Sequence, residues 1–234
     1  EHKMNTYLNK VLKTEKKDYV IASDTDSIYL NLGDLVKKVF EGRETTDSSV
    51  VSFLNKVCEV ELEKYISSSY EALASYVNAY EQKMIMKREN IASTGIWTAK
   101  KRYMLNVWDS EGVRYHEPKL KMMGIEAVKS STPMPCRNAI KDAIKIMMDG
   151  TEDDLVSFID SFRNTFENLP PEDIAFPRSV NGLRKYKAST TVYTKGTPLH
   201  VRGTLLYNFY IAKNKLEYKY PLVQEGEKIK YIYL

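Results

Sequence analysis

Cysteine is scarce in this chain, with only Cys58 and Cys136 among 234 residues. They lie far apart on helix-like segments, so a disulfide framework and a cysteine-based zinc site are both excluded and the thiols read as reduced. No stretch approaches the roughly 18 consecutive apolar residues of a membrane span, and the opening EHKMNTYLNKVLK lacks the apolar core of a signal peptide. The expectation is a soluble, cytoplasmic protein with no membrane partner. Acidic residues are missing altogether from 176–203, where six bases stand, whereas 149–173 carries eight acids against Arg163 alone. Such segregation suggests one face that meets a polyanion, with a solvated basic loop as the plainer reading. What remains is ordinary globular stock, 43% hydrophobic and 28% charged.

Periodicity divides the chain. Met4, Tyr7, Leu8, Val11 and Leu12 mark one face of a helix with no visible N-terminal cap. Two short strand-like runs, 19–23 and 27–31, flank Asp-Thr-Asp and predict a hairpin with the aspartates at its tip. Helices are expected over about 35–40, 50–66 and 70–80. Period-two signals follow in 83–93, 96–108, 113–117 and 119–123, with a turn at Asp109-Ser-Glu-Gly112. Thr132 and Thr151 are expected to cap the next two helices, the second through a capping box with Asp154, and Gly150 to end the first. The buried stripes expected are Ala139, Ile140, Ala143, Ile144, Met147 and Met148, then Leu155, Phe158, Ile159, Phe162 and Phe166. Basic loops, a helix over about 204–215 and a strand-like KIKYIYL close the chain. Both ends read as cut from a longer protein. The fold class is α+β, an antiparallel sheet with helices followed by a mainly helical region, with a boundary near SSTP.

Three readings compete for Asp24 and Asp26. Asp and Ser bond locally to backbone, so DTDS makes a turn on its own chemistry. A calcium loop fails, because Ile28 and Tyr29 stand where a ligand and a glycine are needed. Two carboxylates at i and i+2 on an exposed tip also suit divalent metals that bridge phosphate oxygens. An apolar strand ending in Asp-x-Asp is similar to the haloacid-dehalogenase phosphatases too, although those continue with parallel strands.

The tetrapeptide KKRY, Lys100 to Tyr103, falls in a predicted strand. Alternation would put Lys101 and Tyr103 on one face and Lys100 and Arg102 on the other. A cation and an aromatic side by side suit a nucleic-acid backbone, and an edge strand guarded by lysines is the structural alternative.

Taken together, DTDS, Glu89, KKRY, the SSTP boundary and the wording KKRYMLNVWDSEGVRYHEPKLKMMGIEAVKSSTP and PLHVRGTLLYN resemble the family B DNA polymerases, and specifically the replicative polymerases of T-even-type tailed phages. The resemblance runs from about Asn5 to the last residue. It implies a polymerase palm over 1–129, with DTDS as the motif C hairpin, and a thumb over 130–234 truncated at its far end. By that resemblance Asp26 is the principal metal-binding carboxylate, Asp24 its neighbour, and Glu89 a palm glutamate near the site. The chemistry implied is two-magnesium nucleotidyl transfer to a primer 3′-hydroxyl, with deoxynucleoside triphosphates as substrates. Related phage sequences carry an acid where this chain has Lys87, which is given no role.

Lys100, Lys101, Arg102 and Tyr103 match the family's grip on primer-template DNA. Ser130, Ser131 and Thr132, at a helix N-terminus, suit phosphate binding. Arg178, Ser179, Asn181, Lys185, Lys195, His200 and Arg202 are the remaining candidates for duplex contact. The family's motif A aspartate, its motif B basic helix and its sliding-clamp tail lie outside these residues, so the fragment alone is expected to be inactive. A non-catalytic nucleic-acid-binding module is the reading from another class.

Overall fold

The computed structural model describes residues 1–232. Tyr233 and Leu234, the end of the strand-like KIKYIYL, lie outside the described residues. The chain forms an α+β fold in two compact units, Glu1–Ile125 and a second that begins at Glu126.

The first unit opens with α1 (His2–Leu12), which has no side-chain cap. Met4 and Leu8 bury its apolar face against Tyr19 and Leu62, while Val11 stays exposed. Two asparagines sew the following loop onto this helix. Asn5 Oδ1 accepts the backbone N–H groups of Tyr19 and Val20, each at 2.9 Å. Asn9 donates to the Lys17 carbonyl at 2.7 Å and accepts the Lys17 N–H at 3.0 Å. These bonds satisfy backbone groups that a turn away from the helix would otherwise leave unpaired. They also fix the start of β1 (Val20–Asp24), which pairs antiparallel with β2 (Ser27–Leu30) as the predicted hairpin.

After α2 (Gly33–Phe40), Thr46 and Ser49 exchange capping bonds at the head of α3 (Asp47–Val57). Two helices were expected over 50–66 and 70–80. A single helical run is found instead, α3 passing through a π turn (Cys58–Leu62) into α4 (Glu63–Tyr76). The serines at 67–69, which look like a break, keep their place because Ser68 and Ser69 donate back to the carbonyls of Lys64 and Tyr65, at 3.1 and 2.9 Å. Leu73, Tyr76, Val77 and Tyr80, the apolar residues of the expected second helix, are exposed.

The sheet of this unit has the order β3-β4-β5, with β3 (Asn90–Ala99), β4 (Arg102–Ser110) and β5 (Val113–Met123), all antiparallel. Three expectations are corrected here. Residues 83–89 belong to no strand; Arg88 ties them to a helix by donating its backbone N–H to Glu63 Oε1 at 3.0 Å. The run 96–108 is a hairpin rather than one strand, turning at Lys100-Lys101, where Lys101 has φ 60°. The runs 113–117 and 119–123 form one strand through Pro118, on the edge of the sheet beside a register shift, where a missing N–H is tolerated. The turn after Asp109 is found as expected, with Glu111 and Gly112 at φ 51° and 89° and the Gly112 N–H donated to Asp109 Oδ1 at 3.0 Å.

The second unit begins with a 3-10 turn (Glu126–Val128) and α5 (Met134–Asp149), which ends at Gly150 as expected. Thr132 does not cap α5. Pro133 occupies the cap position without a side-chain bond, and the Thr132 N–H closes a turn onto the Lys129 carbonyl at 3.1 Å. Thr151 and Asp154 form the predicted capping box on α6 (Glu152–Glu167). The expected stripes are only partly covered: Ile144 is buried, Leu155, Phe158, Phe162 and Phe166 are half-buried, and Met147 and Ile159 are exposed.

Beyond these stand α7 (Pro171–Ile174), β6 (Phe176–Ser179), α8 (Leu183–Tyr186), β7 (Lys187–Ala188), β8 (Val192–Tyr193), α9 (Leu199–Lys213) and β9 (Lys228–Tyr231). The helix expected over 204–215 thus starts earlier. Val180, Val201 and Leu205 form the core beneath the basic loops. No helix among the described residues is long and apolar enough to cross a membrane.

Candidate nucleic-acid and metal site

Asp24 closes β1 and pairs with Ser27 across a two-residue turn, Thr25-Asp26. Thr25 takes φ 56°, a place glycine usually fills in such hairpins and one that costs a side-chain-bearing residue roughly 1–2 kcal/mol. Its hydroxyl donates to Asp24 Oδ1 at 3.1 Å, and the Ser27 hydroxyl to the Asp24 carbonyl at 3.1 Å. The turn therefore holds Asp24 by local bonds and leaves Asp26 exposed on the tip.

Both aspartates line a cleft of about 350 Å³ whose other walls come from distant parts of the unit. Glu89, just before β3, and Lys121, on β5, form one wall, their carboxylate and ammonium 2.6 Å apart. Asn90 also donates to Glu89, at 3.0 Å. The Lys121 bond, ahead of the opposing effect of burial, holds the Glu89 carboxyl below the usual glutamate range. Lys101 forms another wall, its ammonium 3.7 Å from Asp24 Oδ1. Tyr29 and Tyr103 complete the lining, their rings 5.4 Å apart, with Trp97 5.2 Å from Tyr29. Burial first, and then the neighbouring Tyr103 hydroxyl, pushes the Tyr29 phenol up to about 12.

Of the residues singled out in sequence, Asp24, Asp26, Glu89, Lys101 and Tyr103 are brought together here. The hairpin turn changes how KKRY does this. Strand alternation does not apply to Lys100 and Lys101; the turn projects Lys101 to Asp24, while Tyr103 is buried inside the sheet's core. Lys100 is exposed on the same turn and Arg102 half-buried at the head of β4, and neither lines the cleft. Sequence reading missed Lys121 and Tyr29. The alternation of PKLKMM and the apolar setting of Tyr29 carried no mark of a site until the sheet register was known.

A second omission lies behind the cleft. Arg88, adjacent to Glu89, places its guanidinium against Asp109 and Asn55, with 9% and 3% of the Arg88 and Asp109 side chains exposed. This buried pair anchors the strandless segment that delivers Glu89.

The other candidates lie in the second unit. Ser130 is exposed, and Ser131 and Thr132 are half-buried before α5. Arg178, Ser179 and Asn181 are exposed around the fully buried Val180. The Lys185 ammonium lies 5.2 Å from the Tyr186 ring and the Arg202 guanidinium 5.5 Å from that of Tyr193. Both tyrosines pack on the core of Val180, Val201 and Leu205, so these cations rest on aromatic faces that restrict them while their charge stays available. Lys195 is exposed in the turn before α9, and the His200 ring is 6.0 Å from that of Tyr231.

Asp24 and Asp26 present the hard oxygen donors that magnesium takes. Among the described residues no group of three or more His, Cys, Asp or Glu converges to cage a metal. All strand pairs among the described residues are antiparallel, which argues against the phosphatase alternative.

No family model matches the chain. It is 39% identical over 237 residues, 98% of its length, to a protein of Escherichia phage RB69 named DNA-directed DNA polymerase, 26% of which is covered. It is 35% identical over 213 residues, 88% of its length, to the protein of the same name from Enterobacteria phage T4, 24% of which is covered. The chain thus spans about a quarter of the length of the curated relatives it matches. The similarity to T-even-type phage polymerases drawn from the motifs is borne out along nearly the whole chain.

Proposed function

We propose that this chain, which aligns almost end to end with a segment of the T-even-type phage DNA polymerases, is the part of a family B DNA-directed DNA polymerase that carries motif C and a grip on primer-template DNA. The observation that carries the reading is one cleft. It joins the hairpin-tip aspartates to Glu89 and to Lys101 and Tyr103 of KKRY, residues far apart in sequence.

In this reading the palm covers 1–129 and the thumb begins at 130, four residues beyond the start of the second compact unit at Glu126. Asp26 and Asp24 hold magnesium, Asp26 as principal ligand because it stands unshielded on the tip while Asp24 faces Lys101. Bound there, the ion would supply Lewis-acid stabilisation of charge on phosphoryl oxygens. The chain's own residues orient the reactants: Lys101 and the turn it sits on face the strand, and Tyr103 anchors that turn in the sheet. Contacts to phosphates and sugars fix register without reading base identity, which a copying enzyme needs.

Arg178, Ser179, Asn181, Lys185, Lys195, His200 and Arg202, with Ser130, Ser131 and Thr132, are the duplex-contact candidates of the second unit. Deoxynucleoside triphosphates and a sliding clamp are partners of the whole enzyme, which works in the cytoplasm of an infected cell. The two aspartates need a further carboxylate to complete a two-metal site, so these 234 residues by themselves bind DNA without extending it.

The test combines two measurements on the chain. Primer-template binding should be weak and salt-sensitive, and Mn2+ uptake should fall when Asp26 becomes Asn. Duplex affinity indifferent to salt, or template-dependent extension by the chain alone, would refute the reading in its respective part. Hydrolysis of a phosphate monoester, abolished by Asp24→Asn, would favour the phosphatase instead.

A further inference from the structure

Three carboxylates and two ammonium groups share the cleft, and the charges are not distributed evenly. Asp24 faces Lys101 at 3.7 Å and Glu89 holds Lys121 at 2.6 Å, while no ion pair to Asp26 is found among the described residues. Glu89 Oε1 already accepts from both Lys121 and Asn90. A carboxylate whose charge is offset by an adjacent ammonium attracts a cation less strongly than an unpaired one does, and Asp26 is the unpaired one here. The pair is also poorly placed to serve stability, since 37% of the Lys121 side chain and 53% of the Glu89 side chain are exposed, and such surface pairs contribute little. Its register is nonetheless fixed. Lys121 sits opposite Leu105 in the β4–β5 ladder, and the Glu89 carbonyl accepts the Glu111 N–H at 2.6 Å.

We infer that Lys121 is a phosphate-binding residue of this cleft and that Glu89 is its counter-ion, displaced when a phosphate arrives, rather than a metal ligand. This rests on the polymerase reading and sharpens it by separating two functions within one group of acids. Asp26, with Asp24, takes the metal; Glu89 keeps an ammonium positioned and charged on the opposite wall. The exchange is of ion-pair partners only: the ammonium leaves a carboxylate for a phosphoryl oxygen, and no bond to a proton changes. The shared ligand chemistry is a phosphoryl group, carried either by a DNA strand near the primer end or by a free polyphosphate.

The experiment uses the 234-residue chain with Lys121→Ala, Glu89→Gln, their double variant and Asp26→Asn. Binding of a primer-template duplex is followed by anisotropy across a salt series, inorganic pyrophosphate binding by calorimetry, and Mn2+ binding by electron paramagnetic resonance. Lys121→Ala should weaken phosphate binding about fivefold to tenfold, and for the duplex should lower the salt slope by about 1. Glu89→Gln should strengthen it severalfold by removing the competing anion, an effect absent on the Lys121→Ala background. Mn2+ uptake should be lost in Asp26→Asn and kept in Glu89→Gln. Weakened duplex binding alone in Lys121→Ala assigns the site to strand phosphate, and weakened pyrophosphate binding alone to the polyphosphate; either supports the inference.

Unchanged binding of both probes by Lys121→Ala overturns it, as does Mn2+ uptake lost as fully in Glu89→Gln as in Asp26→Asn. In both cases the polymerase reading survives if the wild-type chain still binds duplex. A wild-type chain that binds neither duplex nor Mn2+ ends both.

Discussion

Arg88 and Asp109 meet inside the first unit with at most 9% of either side chain exposed, and among the described residues no cation but Arg114, its Nε 3.8 Å away, shares the aspartate. Breaking a buried pair strands the surviving charge away from water, which costs far more than the pair itself contributes. Asp109→Ala should therefore destabilise the unit by about 3–5 kcal/mol, read as a fall in the urea midpoint. Arg88→Met combined with Asp109→Leu should recover most of that loss. A single variant as stable as the wild type, or a double variant no better than the single, would show that the pair is not sealed from solvent.

Gly124 follows β5 at φ 68°, and a Cβ there would press on the Lys101 carbonyl and lie 2.9 Å from Arg102 Cγ. The obstacle is partly backbone, so the KKRY turn itself must move. Gly124→Ala should cost roughly 1–3 kcal/mol and also weaken duplex binding, whereas Gly112→Ala, with nothing within 4 Å of its Cβ, should pay only the conformational part. Equal duplex affinity for Gly124→Ala and wild type would contradict the role given to that turn.

Tyr29 is held neutral in the fold, its phenol pushed up to about 12 by burial and then by Tyr103, against about 10 in an unfolded chain. Because the folded value is the higher one, its contribution is complete below about pH 10 and is lost as pH rises from there towards 12. Urea midpoints at rising pH should fall less steeply for Tyr29→Phe than for wild type. Parallel profiles would mean that the phenol ionises freely.

Lys185 and Arg202 each lie over a tyrosine that packs on one core. Replacing either by Ala should weaken binding to duplexes of unrelated sequence alike and lower the salt slope by about 1. A sequence-dependent loss would indicate base reading instead. Tyr193→Phe, which keeps the ring, should leave the slope as it is.

The hairpin, the capping box at Thr151 and the Gly150 helix end were legible because each is a local rule written in adjacent residues. The KKRY turn was not, since Lys100-Lys101 offers none of the glycine or asparagine that marks a turn, yet Ala99 pairs with Arg102 across it and Lys101 takes positive φ. The continuous helix through the π turn was hidden for the opposite reason, because three serines imitate a loop while two of them, Ser68 and Ser69, bond back into the helix. Within the site, Asp24, Asp26, Lys101 and Glu89 could be named from motifs. Lys121, Arg88 and Asp109 could not, as each acquires meaning only from a partner distant in sequence.

The aspartate hairpin and the KKRY hairpin belong to separate sheets. No ladder joins them among the described residues; the packing of Tyr29 against Trp97 and Tyr103 and the Lys101–Asp24 contact at 3.7 Å span the cleft instead, with Gly95 leaving room for the Trp97 ring, which would lie 2.7 Å from any Cβ there. The gap is thus a compliant dimension, governed by ring volume and tilt, whereas hydrogen bonds keep each hairpin stiff. A change of one ring could retune the distance between metal ligand and strand grip while leaving both halves intact.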